Sequence, residues 1–148
     1  YLMPTNLYGP NDNFSSDRSH VIPGLIHRMH KAKIEEMPDF KIWGTGTPLR
    51  EFLYVDDFAD AVEYLLDKKP KESLLNVGSG EEISIADLSN LVKETIGYKG
   101  VLKFDESKPD GNPRKLIDSR KLASLGWEAS TQLSEGLNKT YDWYKKNI

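Results

Sequence analysis

Short apolar runs that stop at glycine-rich turns are the feature that most limits how this chain can fold. The run at residues 73–77 ends at Gly78-Ser79-Gly80, and the run at 40–43 ends at the turn that begins with Gly44. Runs of this length and apolarity are typical of strands buried in a sheet. Between them, apolar residues recur at intervals of three and four, which predicts amphipathic helices. The alternation predicts a mixed α/β fold.

The same patterns predict where the elements lie. Asp56 is a good candidate N-cap for the second helix, whose buried stripe would be Phe58, Ala61, Val62, Leu65 and Leu66, and Ser84 with Asp87 predicts a capped start for the third. The predicted strands cover about 1–7, 40–43, 50–55, 73–77, 83–85 and 100–104, and the predicted helices about 21–33, 57–68, 85–97, 119–125 and 133–146.

The first ten residues have the pattern of a late strand that enters an active-site loop. An apolar stretch reaches Leu7, a Gly9-Pro10 turn stops it, and three polar residues follow at 11–13. We expect this strand to pair with strands that precede it in a longer protein, so that residues 1–148 form one part of that protein.

Composition excludes several classes of protein. A hydrophobic content of 38% and a charged content of 29% are typical of a soluble globular protein. No apolar stretch approaches the roughly 20 residues that span a bilayer, so we predict no membrane segment. The net charge of −3 argues against nucleic-acid binding, although a few placed arginines suffice for a small anion. The absence of cysteine excludes disulfides and favours the cytoplasm.

Several cations have settings that suit phosphate binding. Arg28 lies on the first predicted helix, Arg50 follows the glycine turn, and Arg114 and Lys115 end a polar loop. Guanidinium groups make paired, charge-assisted hydrogen bonds to pyrophosphate, and the indole of Trp43 could lie against a base or sugar ring. Spacing alone favours the alternative, in which these are surface cations and a core tryptophan.

The histidines and paired carboxylates offer weaker candidates. His20 stands at a helix entry, where an imidazole can act as acid or base, although a lone histidine there is more often a cap or a filler. His27 and His30 share a helix face, but no carboxylate supports them, and we predict no metal site. We interpret Asp56-Asp57 as a helix start rather than a catalytic pair.

Two Tyr-x-x-x-Lys spacings, Tyr64 to Lys68 and Tyr141 to Lys145, match the catalytic pair of short-chain dehydrogenases. Both lie late in amphipathic helices, and we interpret them as coincidental. The pairs Gly44-x-Gly46 and Gly78-x-Gly80 are too short to be dinucleotide-binding fingerprints.

Four longer segments carry a more specific pattern: 3–14, 19–23, 43–52 and 107–111. Together they resemble the motifs of the GDP-L-fucose synthases, a family of extended short-chain dehydrogenases, and the resemblance runs essentially from end to end. Segments 50–57 and 76–80 are shared with many nucleotide-sugar epimerases and dehydratases. Segments 11–14, 19–21 and 108–111 are the more specific ones.

The resemblance implies the fold and organisation of the chain. Residues 1–148 would be the substrate-binding, C-terminal part of an α/β extended short-chain dehydrogenase. Residual Rossmann strands would lie near 1–8 and 73–77. Most of the Rossmann sheet and the N-terminal dinucleotide-binding domain would be absent, so we expect the chain alone to be inactive and the parent enzyme to be a homodimer.

The resemblance also implies the chemistry and the residues that serve it. Enzymes of this family convert GDP-4-keto-6-deoxy-D-mannose to GDP-L-fucose with NADPH, by 3,5-epimerisation and then reduction of the 4-keto group. His20 would be the catalytic acid, paired with a cysteine upstream of Tyr1. The residues implied to contact the nicotinamide end of NADP are Pro4, Thr5, Asn6, Leu7 and His20, and those implied to hold the GDP-sugar are Arg28, Trp43, Arg50, Asp110 and Lys115.

Two alternatives remain open at this point. The parent could be another extended short-chain dehydrogenase, such as a GDP-mannose 4,6-dehydratase or a UDP-sugar 4-epimerase. The chain could also be a stand-alone module that binds nucleotide-sugars without catalysis.

Overall fold

Strands and helices alternate along the chain, as the apolar runs predict. The computed structural model describes residues 1–15 and 18–148. The strands are β1 (Leu2–Pro4), β2 (Asn6–Tyr8), β3 (Asp39–Trp43), β4 (Leu49–Tyr54), β5 (Leu75–Val77), β6 (Glu82–Ser84), β7 (Val101–Asp105) and β8 (Arg114–Lys115). The helices are α1 (Val21–Ile34), α2 (Val55–Lys68), α3 (Ile85–Ile96), α4 (Arg120–Ser124) and α5 (Leu133–Asn147).

Strand β4 is the centre of the strand pairing. Its C-terminal half pairs in parallel with β2, so that Leu7 lies opposite Leu53. Its N-terminal half pairs antiparallel with β6 and in parallel with the two-residue strand β8. Two further parallel pairs, β1 with β5 and β3 with β7, lie apart from this sheet. Segments distant in sequence therefore meet along β4.

Adjacent residues of β4 belong to different hydrophobic clusters. Phe52 and Tyr54 are part of the larger cluster, whereas Leu53 belongs to a second one. Successive side chains of a strand point to opposite faces, so the two clusters lie on opposite sides of β4. The larger cluster includes Ile22, Leu25, Ile26, Met29, Leu88, Val92, Leu137, Tyr141 and Tyr144, and the second includes Ala61, Leu65, Leu75, Val77, Leu122 and Trp127.

The start of α3 confirms its predicted cap. The Ser84 hydroxyl accepts a hydrogen bond from the backbone N–H of Asp87 at 3.0 Å and donates one to the Asp87 carboxylate at 2.6 Å. The helix ends at Gly97, which adopts the left-handed conformation. These contacts satisfy backbone groups that a helix end would leave without partners.

The predicted start of α2 is wrong by two residues. Helix α2 begins at Val55, directly after β4, and Tyr54 rather than Asp56 is its N-cap. Asp57 lies in the first turn and is buried, where its carboxylate accepts hydrogen bonds from the Thr131 N–H and hydroxyl at 3.0 and 2.9 Å. The buried stripe is also narrower than predicted, because Leu66 is 68% exposed.

No helix in the described ranges has the length and apolarity required to cross a membrane.

Candidate functional site

Three adjoining cavities share His20 on their walls. Cavity A, about 740 Å³, lies between α1, the glycine turn 44–48 and residues 109–111. Cavity B, about 580 Å³, is formed by residues 4–12 with Val55. Cavity C, about 240 Å³, lies between them and includes Asn6, Arg50 and Lys115. A group presented by His20 therefore has access to all three.

Helix α1 places His20 and Arg28 on the same wall of cavity A. Val21, Gly24 and Leu25 lie between them on that face, because residues three and four apart are neighbours on a helix. His20 is the N-cap of α1 and its carbonyl accepts from the Gly24 N–H at 2.9 Å, but its side chain makes no capping hydrogen bond. The exposed imidazole is thus not a cap, which sets aside one alternative left open by the sequence.

Contacts with a backbone carbonyl and with an aromatic ring orient Arg28. Its Nε donates to the Gly24 carbonyl at 3.2 Å, and its guanidinium carbon lies 5.4 Å from the centre of the Phe40 ring. Desolvation by surrounding protein lowers its pKa from the ordinary value, although the side chain keeps solvent contact at the cavity. No carboxylate of residues 1–15 or 18–148 forms an ion pair with it. Its positive charge therefore remains available to an anion.

Arg50 and Lys115 stand beside each other on paired strands. They are directly opposite in the parallel register of β4 and β8, and both border cavity C. The Nη1 of Arg50 donates to the carbonyls of Leu49 and Asn112, each at 2.7 Å. Within the described ranges neither cation is paired with a carboxylate. Two adjacent unpaired cations make this wall favourable for a phosphate or diphosphate.

Arg114, the remaining candidate cation, has a different role. Its Nε and Nη2 donate to the Glu82 carboxylate at 2.7 and 2.6 Å. This bidentate contact lowers the pKa of Glu82 and raises that of Arg114. Arg114 therefore links β8 to β6, and for this residue the alternative of an ordinary surface cation is the better interpretation.

Trp43 lies at the rim of cavity A and not in the core. Its side chain is 70% exposed, and the ammonium of Lys108 lies 5.9 Å from the centre of its ring. The interpretation of Trp43 as a core residue is therefore wrong. An exposed indole at the mouth of a cation-lined cavity is well placed to stack on a planar ring.

Asp110 fastens the loop 106–113 to the glycine turn. Its carboxylate accepts from the Thr45 N–H at 2.9 Å and from the Thr45 hydroxyl at 2.7 Å. A Cβ at Gly44, which has a φ of +82°, would overlap this carboxylate, so the turn requires glycine for both its conformation and this close approach. The structure thus places Asp110 in the lining of cavity A. Its hydrogen bonds to Thr45 were not predicted from the sequence.

Cavity B differs from cavities A and C in its described lining, whose acidic or basic side chains are Asp12 and His20. Pro4, Thr5, Asn6 and Leu7 line it together with His20, and its described lining includes no lysine or arginine. The Thr5 hydroxyl and the Asn6 amide nitrogen both donate to the Glu51 carbonyl, at 3.1 and 2.8 Å. These two bonds hold Thr5 and Asn6 against β4 beside cavity B.

The other sequence candidates contribute to packing. The Nδ1 atoms of His27 and His30 lie 2.9 Å from the hydroxyls of Tyr144 and Tyr141 on α5. The Tyr64 hydroxyl donates to the Leu125 carbonyl at 2.8 Å. In the part of the chain that the structure describes, no three histidine or acidic side chains are grouped to hold a metal ion.

Sequence reasoning missed Glu51 altogether. Its side chain is fully buried, and its backbone carbonyl accepts hydrogen bonds from two residues of cavity B. The available signal was an acidic residue followed directly by the apolar residues 52–55 of a predicted strand, since an acidic side chain is rarely buried without partners.

Comparison with known proteins places this site in context. The chain is 56% identical over 146 residues to GDP-L-fucose synthase 1 of Arabidopsis thaliana, a match that covers 99% of this chain and 45% of that protein. It is 46% identical over 155 residues to GDP-L-fucose synthase of Escherichia coli (strain K12), covering 99% and 48%. The chain thus spans about half the length of the curated relatives it matches.

Solved structures agree with these sequence matches. A GDP-L-fucose synthetase from Naegleria fowleri, bound to NADP, superposes with a TM-score of 0.91 at 32% identity, over 99% of this chain and 46% of that one. A UDP-glucose 4-epimerase from Thermotoga maritima gives a TM-score of 0.81 at 29% identity, over 98% and 45%.

A family profile covers the first half of the chain, including β1, β2, α1, β4 and the shared wall of the three cavities. The profile of the NAD dependent epimerase/dehydratase family matches residues 1–78. With this match and the relatives above, the α/β chain belongs to the NAD dependent epimerase/dehydratase family, the extended short-chain dehydrogenases.

Proposed function

We propose that this chain forms the GDP-sugar side of the active site of a GDP-L-fucose synthase. The proposed reaction converts GDP-4-keto-6-deoxy-D-mannose to GDP-L-fucose through 3,5-epimerisation and reduction of the 4-keto group by NADPH. The observation that carries this proposal is the position of His20, which borders the cation-lined cavity A, cavity B, whose described lining has no lysine or arginine, and cavity C between them.

Three cations without a carboxylate partner among the described residues support a nucleoside diphosphate as the ligand of cavities A and C. Arg28 and Arg50 border cavity A and Lys115 borders cavity C, so their charges can reach a diphosphate from two sides. The indole of Trp43 and the loop around Asp110 would bound the base and sugar. A cavity of about 740 Å³ is within the size range of small-ligand sites.

The chemistry requires a proton carrier where the sugar would reach cavity B. A 4-keto group acidifies the protons on both neighbouring carbons, so that each can be removed and returned on the opposite face. The exposed His20 imidazole would return those protons as the acid, and a base from outside this chain, the cysteine that the family resemblance implies, would remove them. When NADPH is bound, it supplies the hydride that reduces the ketone. Thr5, Asn6 and Leu7 would hold its nicotinamide end, and its phosphates would need groups from outside this chain.

Two further parts of the proposal concern the assembly and the location of the whole enzyme. The parent enzyme would be a homodimer, and the reaction would take place in the cytoplasm. Light scattering of the purified enzyme would test the dimer.

A chimera tests the proposed reaction. The half of Arabidopsis GDP-L-fucose synthase 1 that precedes the matched region would be joined to this chain, and the product would be incubated with GDP-4-keto-6-deoxymannose and NADPH. We expect formation of GDP-L-fucose with consumption of NADPH. A folded chimera that binds NADPH but forms no GDP-fucose would contradict the proposal.

A further inference from the structure

Glu51 is a buried carboxylate that joins three segments of the chain. Its side chain is 0% exposed. One carboxylate oxygen accepts from the Gly80 N–H at 2.8 Å and the other from the Ile117 N–H at 3.3 Å. Within residues 1–15 and 18–148 no lysine, arginine or histidine forms an ion pair with it. The buried charge is therefore compensated by backbone donors, which is how a protein tolerates such a group.

The approach to the turn at 78–80 leaves room for this carboxylate. A Cβ at Gly78 would overlap Oε1 of Glu51, so a side chain at that position would force the carboxylate away from both donors. The absence of a side chain at Gly78 thus leaves the space that the Glu51 carboxylate occupies.

The segment that Glu51 holds contains one of the proposed ligand-binding cations. Ile117 follows β8 by two residues, and β8 itself has only two residues, Arg114 and Lys115. Besides its register with β4, β8 is held by the hydrogen bond from the Leu49 N–H to the Pro113 carbonyl at 2.8 Å and by the contact of the Arg114 side chain with Glu82 of β6. Such a short strand has few backbone bonds of its own, and the bond from the Ile117 N–H to Glu51 adds one at the C-terminal side of Lys115.

The pairing of β8 with β4 brings two positive charges together, so a further contact is needed to keep them in place. Arg50 and Lys115 lie opposite each other on adjacent strands, and like charges in that arrangement repel. The Glu51 carboxylate lies one residue farther along β4 and accepts a hydrogen bond from the Ile117 N–H, just beyond Lys115. Its negative charge opposes the separation of the two cations. At the same time, the carbonyl of Glu51 holds Thr5 and Asn6 of cavity B.

We propose that Glu51 is a positioning residue whose carboxylate holds strand β8 against β4 and so fixes Lys115 beside Arg50 for one anionic group of the ligand. The part that concerns the ligand rests on the proposed function. Glu51 acts through backbone contacts and borders none of the three cavities described above.

Hydrogen exchange tests the structural half of this inference without any ligand. Glu51→Gln keeps the shape of the side chain but turns an NH₂ group toward one of the two N–H donors, so one bond is lost. We expect the amide protons of Ile117 and Leu49 to exchange about tenfold faster or more, as loss of a hydrogen bond to a charged group implies. Unchanged exchange at both amides would overturn the inference.

A matched control separates this effect from general loss of stability. Thr140→Val removes another buried polar group, whose hydroxyl donates to the Gly136 carbonyl at 2.7 Å within α5. We expect the exchange rates of the Ile117 and Leu49 amide protons in this variant to change only as much as global unfolding does. Should Glu51→Gln fail to fold, Glu51→Asp, which keeps the charge but is one methylene shorter, gives the same comparison.

Coupling to Lys115 tests the functional half. The affinity of the 148-residue chain for GDP would be measured for Lys115→Ala, Glu51→Gln and the double variant. We expect Lys115→Ala to weaken binding in the unaltered chain and to have little further effect when Glu51 is glutamine. Equal losses in both backgrounds would overturn the inference. If the unaltered chain binds no GDP, the proposed function fails for this chain, and the exchange rates still decide whether Glu51 holds β8.

Discussion

Arg50 borders two of the three cavities, and its orientation is set before any ligand arrives. The carbonyls of Leu49 and Asn112 each accept from its Nη1, which leaves the remaining N–H groups for an anion. Preorganisation of this kind lowers the entropy lost on binding. Arg50→Ala should therefore weaken GDP binding by about tenfold or more, the cost of losing charge-assisted hydrogen bonds, as measured by isothermal titration calorimetry.

Arg114 provides the control for this prediction. It lies one residue before Lys115, but its guanidinium is occupied by Glu82. Arg114→Ala should change GDP affinity far less than Arg50→Ala. Equal losses for the two variants would show that affinity follows net charge and not the placement of Arg50.

His20 should affect chemistry more than binding. In the chimera described above, His20→Asn should slow exchange of the C3 and C5 protons of the substrate by about 10²–10⁴-fold, the usual contribution of a general acid or base. Proton exchange in D₂O, followed by NMR, measures this step apart from reduction. GDP affinity should stay close to that of the unaltered protein.

His27 supplies the matched histidine on the same helix. Its ring contacts the Tyr144 hydroxyl on α5 instead of a cavity. His27→Asn should leave proton exchange at the substrate unchanged. If both histidine variants reduce it equally, the effect comes from helix α1 as a whole and His20 has no special role.

At the scale of elements, the contact between α1 and α5 carries a pH dependence. His30 of α1 bonds the Tyr141 hydroxyl and lies across from Tyr144. Burial lowers its pKa below the ordinary value of 6.5, and the nearby charges of Lys33, His27 and Lys145 lower it further. The unfolded chain takes up the proton first as the pH falls below about 6.5, so protonation favours unfolding in this range.

The free energy of unfolding should consequently decrease from about pH 7 to about pH 5, and His30→Gln should flatten that decrease. Urea denaturation at several pH values measures both curves. The carboxylates are the same in the two proteins, so their contribution cancels in the comparison. Parallel curves would rule out His30 as a source of the pH dependence.

The elements were largely predictable because their signals are local. Helical spacing predicted α1, α2, α3 and α5, and the Ser84 cap was confirmed. The start of α2 was not predictable, because Asp57 turns inward to Thr131, a partner far along the chain. The tether from Asp110 to Thr45 and the pairing of the two-residue strand β8 also depend on tertiary contacts. Spacing alone could not distinguish Arg50 from Arg114, since the difference is whether Glu82 lies within reach.

For the molecule as a whole, β4 links the two hydrophobic clusters. Leu53 packs in one cluster, while its neighbours Phe52 and Tyr54 pack in the other. A loss of packing in either cluster therefore also destabilises β4, which contributes side chains to both. We expect the chain to unfold in one cooperative transition.

Leu53→Ala and Leu137→Ala test this expectation, since both side chains are buried, in different clusters. Each should lower the free energy of unfolding by about 2–5 kcal/mol, typical of a leucine truncated in a core. Circular dichroism and tryptophan fluorescence should report the same transition midpoint for each variant. Midpoints that separate between the two probes would show that the clusters unfold independently.

The register of Arg50 opposite Lys115 has a further consequence. An anion bound by both would connect two points that are distant along the chain, as a reversible crosslink does. Crosslinks stabilise a fold by closing a loop in the chain, and closing a longer loop removes more disorder. A ligand held there would restrain the ends of the intervening segment, which contains α2, β5, β6, α3 and β7.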